Sequence, residues 1–498
     1  MEEQKQTGTS YGNILKTTFL FGFVQVFNIG VKVILNKVVA VLLGAEGLGI
    51  IGIYNNVCKM IVTGAGLGIN QSSVRDISEA NALGDKKHFS RTISMVNKVI
   101  LLTSLLGIII TLILSQFLSK WTFGNNDYIL GFVWLSVVVG LNILSEGQLA
   151  ILKGMRQLRA LAKASMLGSL VGLAAAVPFY YFFGRGGIIP SLIITAFAAL
   201  FFSNTYVRKI DYTRVKLSIK EALGESRSMI KMGMALMYVT FLGTIFETVV
   251  ASFISNTGSL VDVGFYNAGI SIVSGYFGIV ITAMSTDYYP RISAIHDDNV
   301  LLQKEMNKQS EAGLVMVFPL VVLFVFLSPF FIEILYSKEF FETNNYTDYA
   351  MIGTVFIVVS NCMGMILLAK QASNIFIWSV LGQRIVLMVV YLLGYKYWGL
   401  TGLGFSYIAT GALNFFLMAI ILNHFYEIIV AKRVSILLTM VIVATIATII
   451  VKKIDIITLK YSIGIALFIF STVFSYIYMK KVMEIDMLSI VRNKLKKR

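Results

Sequence analysis

The sequence predicts an all-α integral membrane protein of roughly 12 to 14 transmembrane helices, arranged as two pseudo-symmetric six-helix bundles with a C-terminal helix pair. Three observations carry this. Hydrophobic residues make up 57% of the chain and charged residues 14%, and the mean hydropathy is +0.78; in soluble domains charge alone is about a quarter of residues. Apolar runs of spanning length, about 20 residues, recur along all 498 residues. The third observation is an internal repeat.

The stretch from Gly47 to Ser78 returns in weaker form from Gly264 to Ser293. Gly52-Ile53-Tyr54-Asn55 is echoed by Gly264-Phe265-Tyr266-Asn267, and Arg75, Ile77 and Ser78 by Arg291, Ile292 and Ser293. Farther on, Gly184, Gly187, Ile188, Ser191, Ile193 and Thr195 align without a gap on Gly399, Gly402, Leu403, Ser406, Ile408 and Thr410. Leu152-Lys153 pairs more loosely with Ala369-Lys370. These pairings imply a duplicated unit of about 215 residues, the usual ground plan of secondary transporters.

Taken in order, the predicted spans of the first half lie near 13–43, 47–74, 92–118, 128–152, 161–183 and 187–207. Those of the second half lie near 229–256, 262–290, 311–336, 346–369, 374–396 and 399–425, and a final pair near 434–451 and 459–479. The predicted organisation is an N-terminal bundle over 1–210, a cytoplasmic linker over 211–228, a C-terminal bundle over 229–426, and an extra helix pair with a basic tail over 427–498. The N-terminus opens acidic and polar, with no cleavable leader pattern. Most of the 42 Lys and Arg fall on one side if both termini are placed inside, and positive charge gathers on the cytoplasmic side. Both termini are therefore expected in the cytoplasm. Lys452, Lys453 and Lys460 dissent, because the same reading puts them outside.

Between the halves, Arg214, Lys216, Lys220, Glu221 and Glu225 are spaced as on an interfacial helix, and the tail IVRNKLKKR reads as a second membrane-surface anchor. Basic amphipathic segments of this kind bind anionic lipid surfaces. That accounts for the net charge of +16 and calls for no nucleic-acid partner.

Several motifs mimic chemistry. Gly47-Leu48-Gly49-Ile50-Ile51-Gly52 fits GxGxxG, but it opens an apolar span and no strand precedes it, so close helix packing explains it. Gly8-Thr9-Ser10-Tyr11-Gly12 fits GxSxG in a terminal tail, again with no strand before it. Cys58 and Cys362 sit in apolar stretches as small packing residues, and His88, His296 and His424 show no metal spacing. No metal site and no catalytic constellation is expected, and the chain is not expected to be an enzyme.

Ionisable residues inside spans are costly, and they are functional candidates by default. Lys32 and Lys37 lie in the first span, Lys59 in the second, Glu146 in the fourth, Glu247 in the seventh and Arg384 in the eleventh. Lys32, Lys59, Glu247 and Arg384 are near span centres, whereas Lys37, Lys153 and Asp287 can reach an interface. Two readings of the central four stand side by side: a water-filled cavity between the halves, or buried ion pairs such as Lys59 with Glu247. Three of the four are cationic, so a cavity they line attracts an anion, and the guanidinium fork of Arg384 suits phosphate oxygens. Glu247 is the single good carboxylate for a proton or sodium role, with Glu146 a second and less central one.

The motifs AEGLGIIGIYNN, RDIS and YYPRIS, with the glycine turns at 184 and 399, resemble the polysaccharide transport family. These are the O-antigen or lipid-linked oligosaccharide flippases of the multidrug/oligosaccharidyl-lipid/polysaccharide superfamily. The resemblance covers residues 10 to about 430. It implies two six-helix bundles facing each other as a V with alternating access. It also implies flipping of undecaprenyl-diphosphate-linked repeat units across the cytoplasmic (inner) membrane for O-antigen, lipopolysaccharide or other surface glycan. On that reading Lys32, Lys59 and Arg384 attract the diphosphate, and Glu247 or Glu146 balances charge or couples transport to an H+ or Na+ gradient, with no other cofactor. A peptidoglycan lipid-precursor flippase and an ion-coupled multidrug antiporter of the same superfamily are the alternatives. Expected partners are the lipid-linked oligosaccharide, membrane lipids, a polysaccharide polymerase and a chain-length regulator, around a monomer.

Overall fold

A computed structural model of the chain describes residues 23–483. The start of the first predicted span, the GxSxG match at Gly8–Gly12 and the tail IVRNKLKKR lie outside the described residues. Among the described residues the regular structure is helical throughout, and twelve helical stretches are long and apolar enough to cross a membrane. The chain divides into two compact units, residues 1–264 and 265–498.

The first unit contains α1 (Phe23–Leu42), α2 (Gly44–Ala65), α3 (Ile69–Ala82), α4 (Lys86–Phe123), α5 (Ile129–Gly154), α6 (Leu158–Phe183), α7 (Ile188–Val207), α8 (Ile219–Glu225) and α9 (Arg227–Thr257). Its core is mainly apolar, with small and hydroxylated residues set among the aliphatic ones. On α4 the buried stripe is Ser104, Gly107, Thr111 and Ser115, while Leu105, Ile109 and Ile113 are exposed. Lipid tails are as apolar as leucine, so small residues that let backbones approach make the helix contacts. Thr111 closes its hydroxyl on the carbonyl of Gly107 at 2.7 Å. Gly49 packs so tightly that a Cβ would lie 2.0 Å from the carbonyl oxygen of Leu260, which is the use to which the GxGxxG stretch is put.

The second predicted span is broken. Leu67 and Gly68 take positive φ, α2 ends at Ala65, and α3 carries the RDIS motif on to Ala82. Gly68 lies against Gly233 of α9, where a Cβ would come 2.1 Å from a carbonyl oxygen, so this break brings α3 and α9 into backbone contact. The expected interfacial helix of the linker is also corrected. Residues 211–218 have no helical structure and α8 covers only Ile219–Glu225, leaving Arg214 and Lys216 on extended chain. The cause is local: Ser218 and Glu221 form a capping box that fixes where the helix starts, while the amides of Thr213 and Val215 donate to the hydroxyls of Ser90 and Ser94 on α4.

The second unit holds most of α10 (Leu260–Ile270), a π-helical turn over Ser271–Tyr276, α11 (Gly278–Ser293), α12 (Asn299–Leu335), α13 (Asn344–Ala369), α14 (Ser373–Tyr426), α15 (Lys432–Lys452) and α16 (Ile457–Lys481). The aligned glycines share one backbone geometry. Gly184, between α6 and α7, has φ 54° and ψ −131°; Gly399, inside α14, has φ 57° and ψ −138°. Only glycine occupies this region freely. Each turn folds a helical stretch back on itself: Ser191 hydrogen-bonds Tyr180, and Ser406 bonds the carbonyl of Val390. Two of the twelve stretches are thus hairpins. Asp85 and Asp298 play matching parts at the starts of α4 and α12, each carboxylate accepting two amides of the first turn.

The final pair α15–α16 packs on α12, with Phe470 and Phe474 edge-on to Phe318. The dissenting Lys452 is largely buried, its side chain 12% exposed. Its Nζ lies 2.7 Å from Asp348 on α13 and also donates to Ser328 and Asn344. It is an internal ion-pair partner and carries no weight as a loop charge.

Candidate functional site

The intramembrane charges of the first unit converge. α9 lies along α2 and α3 because glycines permit it, with Phe241 over Gly64 and Gly233 against Gly68. That packing brings Glu247 of α9 to Lys59 of α2, Nζ to Oε2 at 2.9 Å. The side chains are 56% and 44% exposed, so the pair is made as one of the two readings anticipated, yet it is not sealed in protein. Lys32 of α1 lies within electrostatic reach of both members, and among the described residues it forms no ion pair of its own.

Beside the pair is a cavity of about 210 Å³ lined by Lys59, Asn70, Gln71, Glu146, Met237 and Thr240. Glu146 of α5 accepts a 2.7 Å hydrogen bond from the Asn70 amide on α3. Two cations and two carboxylates therefore share this region of one unit. The excess of positive charge inferred from the sequence is reduced by the Lys59–Glu247 contact, and Lys32 is left as the cation that needs a counter-ion. Arg384 belongs to the second unit, half-buried on α14, within electrostatic reach of Tyr391. Lys37 and Lys153 remain on α1 and α5, while Asp287 pairs with Arg291 one turn away at 3.1 Å.

Sequence reasoning missed Asn70 and Gln71, because they fall just after the helix break at Leu67–Gly68, and read as a single continuous span the stretch gives no reason to turn them into a cavity. The signal available was the Gly64-Ala65-Gly66-Leu67-Gly68 run, which is weak helix. The site offers a half-exposed lysine–carboxylate pair, a second lysine with no ion pair among the described residues, and the side-chain amides of Asn70 and Gln71 on the cavity wall.

A family model described as "Polysaccharide biosynthesis protein" matches residues 38–345. The chain is 24% identical over 403 residues to the lipid III flippase of Escherichia coli (strain K12), covering 78% of this chain and 92% of that protein. The Shigella flexneri protein of the same name matches equally. Among solved structures, the lipid II flippase MurJ in an inward closed conformation superposes with a TM-score of 0.72 at 12% identity, covering 95% of this chain and all of that one. An inward-facing multidrug resistance MATE family transporter of the MOP superfamily gives a TM-score of 0.65 at 16% identity, covering 83% and 95%. With more than half its length matched, the chain belongs to the family described as "Polysaccharide biosynthesis protein", and its fold is that of the solved flippase and transporter structures.

Proposed function

We propose that the chain is a flippase that moves undecaprenyl-diphosphate-linked oligosaccharide repeat units across the cytoplasmic membrane for O-antigen or another surface polysaccharide. The observation that carries the reading is the half-exposed Lys59–Glu247 pair beside a polar cavity, in a chain related over most of its length to a lipid III flippase. In the unloaded protein Glu247 neutralises Lys59. An entering diphosphate competes for Lys59 and is held also by Lys32, and Glu247 is freed to take up a proton or sodium ion. Glu146, steadied by Asn70, is the second acceptor. Arg384 supplies a guanidinium fork in the second unit, and its contribution is separable by mutation. Both termini face the cytoplasm on the distribution of positive charge.

A peptidoglycan-precursor flippase shares the fold, and its loss is expected to stop growth. A cation-exporting antiporter fits less well with lysines at the centre. The deciding experiment is a deletion strain examined for surface glycan and for lipid-linked repeat units in the inner membrane. Loss of polymer with repeat units retained on the cytoplasmic face is the expected result. Unchanged glycan with raised sensitivity to cationic dyes would move the assignment to the antiporter.

A further inference from the structure

A second polar cavity in the first unit lies away from the one just described, where the ends of α5 and α7 meet the early turns of α4. It measures about 600 Å³, within the roughly 300–1,000 Å³ of ligand pockets. Lys98 of α4, Arg208 after α7, and Arg214 and Lys216 of the extended segment all line it, and no carboxylate does. Among the described residues none of these four cations has an ion-pair or side-chain hydrogen-bond partner. Their neighbours Lys86 and Arg91 are paired, with Asp211 and Glu225. Counter-charge is thus available at this end of the unit and is not directed into the cavity.

The cavity wall is built. The extended segment is fastened to α4 by the Thr213 and Val215 amides on Ser90 and Ser94, and Tyr212, Arg214, Val215 and Lys216 of this segment line the cavity. Asn97 accepts a 2.9 Å hydrogen bond from Gln148, which orients the amides at the back. Four cations gathered without counter-ions, Lys98 half-buried and Arg208, Arg214 and Lys216 exposed, repel one another, and an oxyanion relieves that repulsion; guanidinium forks fit phosphate oxygens in pairs. Leu101 lines the same cavity and begins a stripe of Leu101, Leu105, Ile109 and Leu112, each 41–51% exposed, that runs along α4. Spacings of three and four keep the stripe on one face. The cationic head-sized space therefore opens onto an apolar track.

We propose that this cavity binds the phosphate of a lipid, with the head group among Lys98, Arg208, Arg214 and Lys216 and the tail along Leu101–Leu112 of α4. Either a phosphatidylglycerol or a polyprenyl diphosphate supplies that chemistry, and the site stands whether or not the cavity beside Lys59 transports. The test uses the full-length protein in phosphatidylcholine nanodiscs, with lipid retention read by native mass spectrometry after adding phosphatidylglycerol, a polyprenyl diphosphate or inorganic phosphate. One molecule of the added phosphatidylglycerol or polyprenyl diphosphate, retained in preference to the surrounding phosphatidylcholine, is expected in the wild type. Retention should fall at least tenfold in K98Q/R208Q/R214Q/K216Q and measurably in R214Q/K216Q, whose changes lie only on extended chain. The control K86Q/K87Q removes positive charge at the same end and should retain the lipid. Preference for phosphatidylglycerol identifies a bulk-lipid site, and preference for the polyprenyl diphosphate identifies the cargo lipid as occupant. Equal loss in the control, unchanged retention in R214Q/K216Q, or inorganic phosphate competing as well as the lipid would overturn the proposal.

Discussion

A double-mutant cycle on Lys59 and Glu247 separates a structural ion pair from a working one. Lys59→Met and Glu247→Gln each remove one charge, and the double variant removes both. With side chains 56% and 44% exposed, the pair behaves as a solvent-screened one, for which coupling is about 0.2–1 kcal/mol. A pair sealed from water would behave otherwise: deleting one partner strands a buried charge and costs about 3–5 kcal/mol. Since 1 kcal/mol is about a fivefold change in an equilibrium constant, the two cases are well resolved. Stability is read by unfolding the purified protein in mixed micelles, and function by export of glycan in cells. The expected outcome is a coupling below about 1 kcal/mol together with at least a tenfold loss of export in each single variant. The charge swap Lys59→Glu/Glu247→Lys should keep the protein folded without restoring export, because the proposed function places the cation on α2. A coupling of about 3 kcal/mol or more would refute the open cavity, and normal export in both single variants would refute the role of the charges.

Three further predictions concern the scaffold. Lys452→Met should destabilise by about 3–5 kcal/mol, since Asp348 would be left buried with its counter-ion gone, while Lys452→Met/Asp348→Leu should recover most of that loss in the same unfolding assay. Gly184→Ala and Gly399→Ala should each cost about 1–3 kcal/mol and by similar amounts, because the two turns share one conformation and a Cβ at either meets nothing within 4 Å; a large difference between them would break the equivalence. Backbone amides beside Asp85 hold its carboxyl below the usual range, as the Ser218 amide holds Glu221. A carboxylate depressed in the folded state stabilises above its unfolded pKa, about 4, and loses that contribution as pH falls through the folded value. Exchange of the Lys87 and His88 amides, corrected for intrinsic rate, should therefore accelerate only below about pH 4, and Asp85→Ala should abolish the pH dependence.

Much was legible in the sequence because it depends on local chemistry. Composition determined that the chain lives in a bilayer, and the rarity of charge there made Lys32, Lys59, Glu146, Glu247 and Arg384 visible at once. The glycines at 184 and 399 marked their turns because only glycine adopts that backbone without strain. The motifs AEGLGIIGIYNN and RDIS carried the family. Asp85 and Asp298 could also have been read as helix starts, each preceding a helix by one residue.

What the tertiary structure decided was which of these groups meet. In a membrane the lipid-facing and protein-facing sides of a helix are both largely apolar, so periodicity does not tell which neighbour a face will find; α4 buries Thr111 and exposes Ile113. Lys59 finds Glu247 across 188 residues of sequence, and how open that pair is depends on the packing of α2, α3 and α9. Lys452, read as a misplaced loop charge, is largely buried because Asp348, 104 residues away, sits on a neighbouring helix. Arg214 and Lys216 read as part of an interfacial helix until Ser90 and Ser94 of α4 take the amides of the linker. Local sequence determined where helices begin and turn; the meeting of polar groups distant in sequence was decided only when the small-residue faces packed.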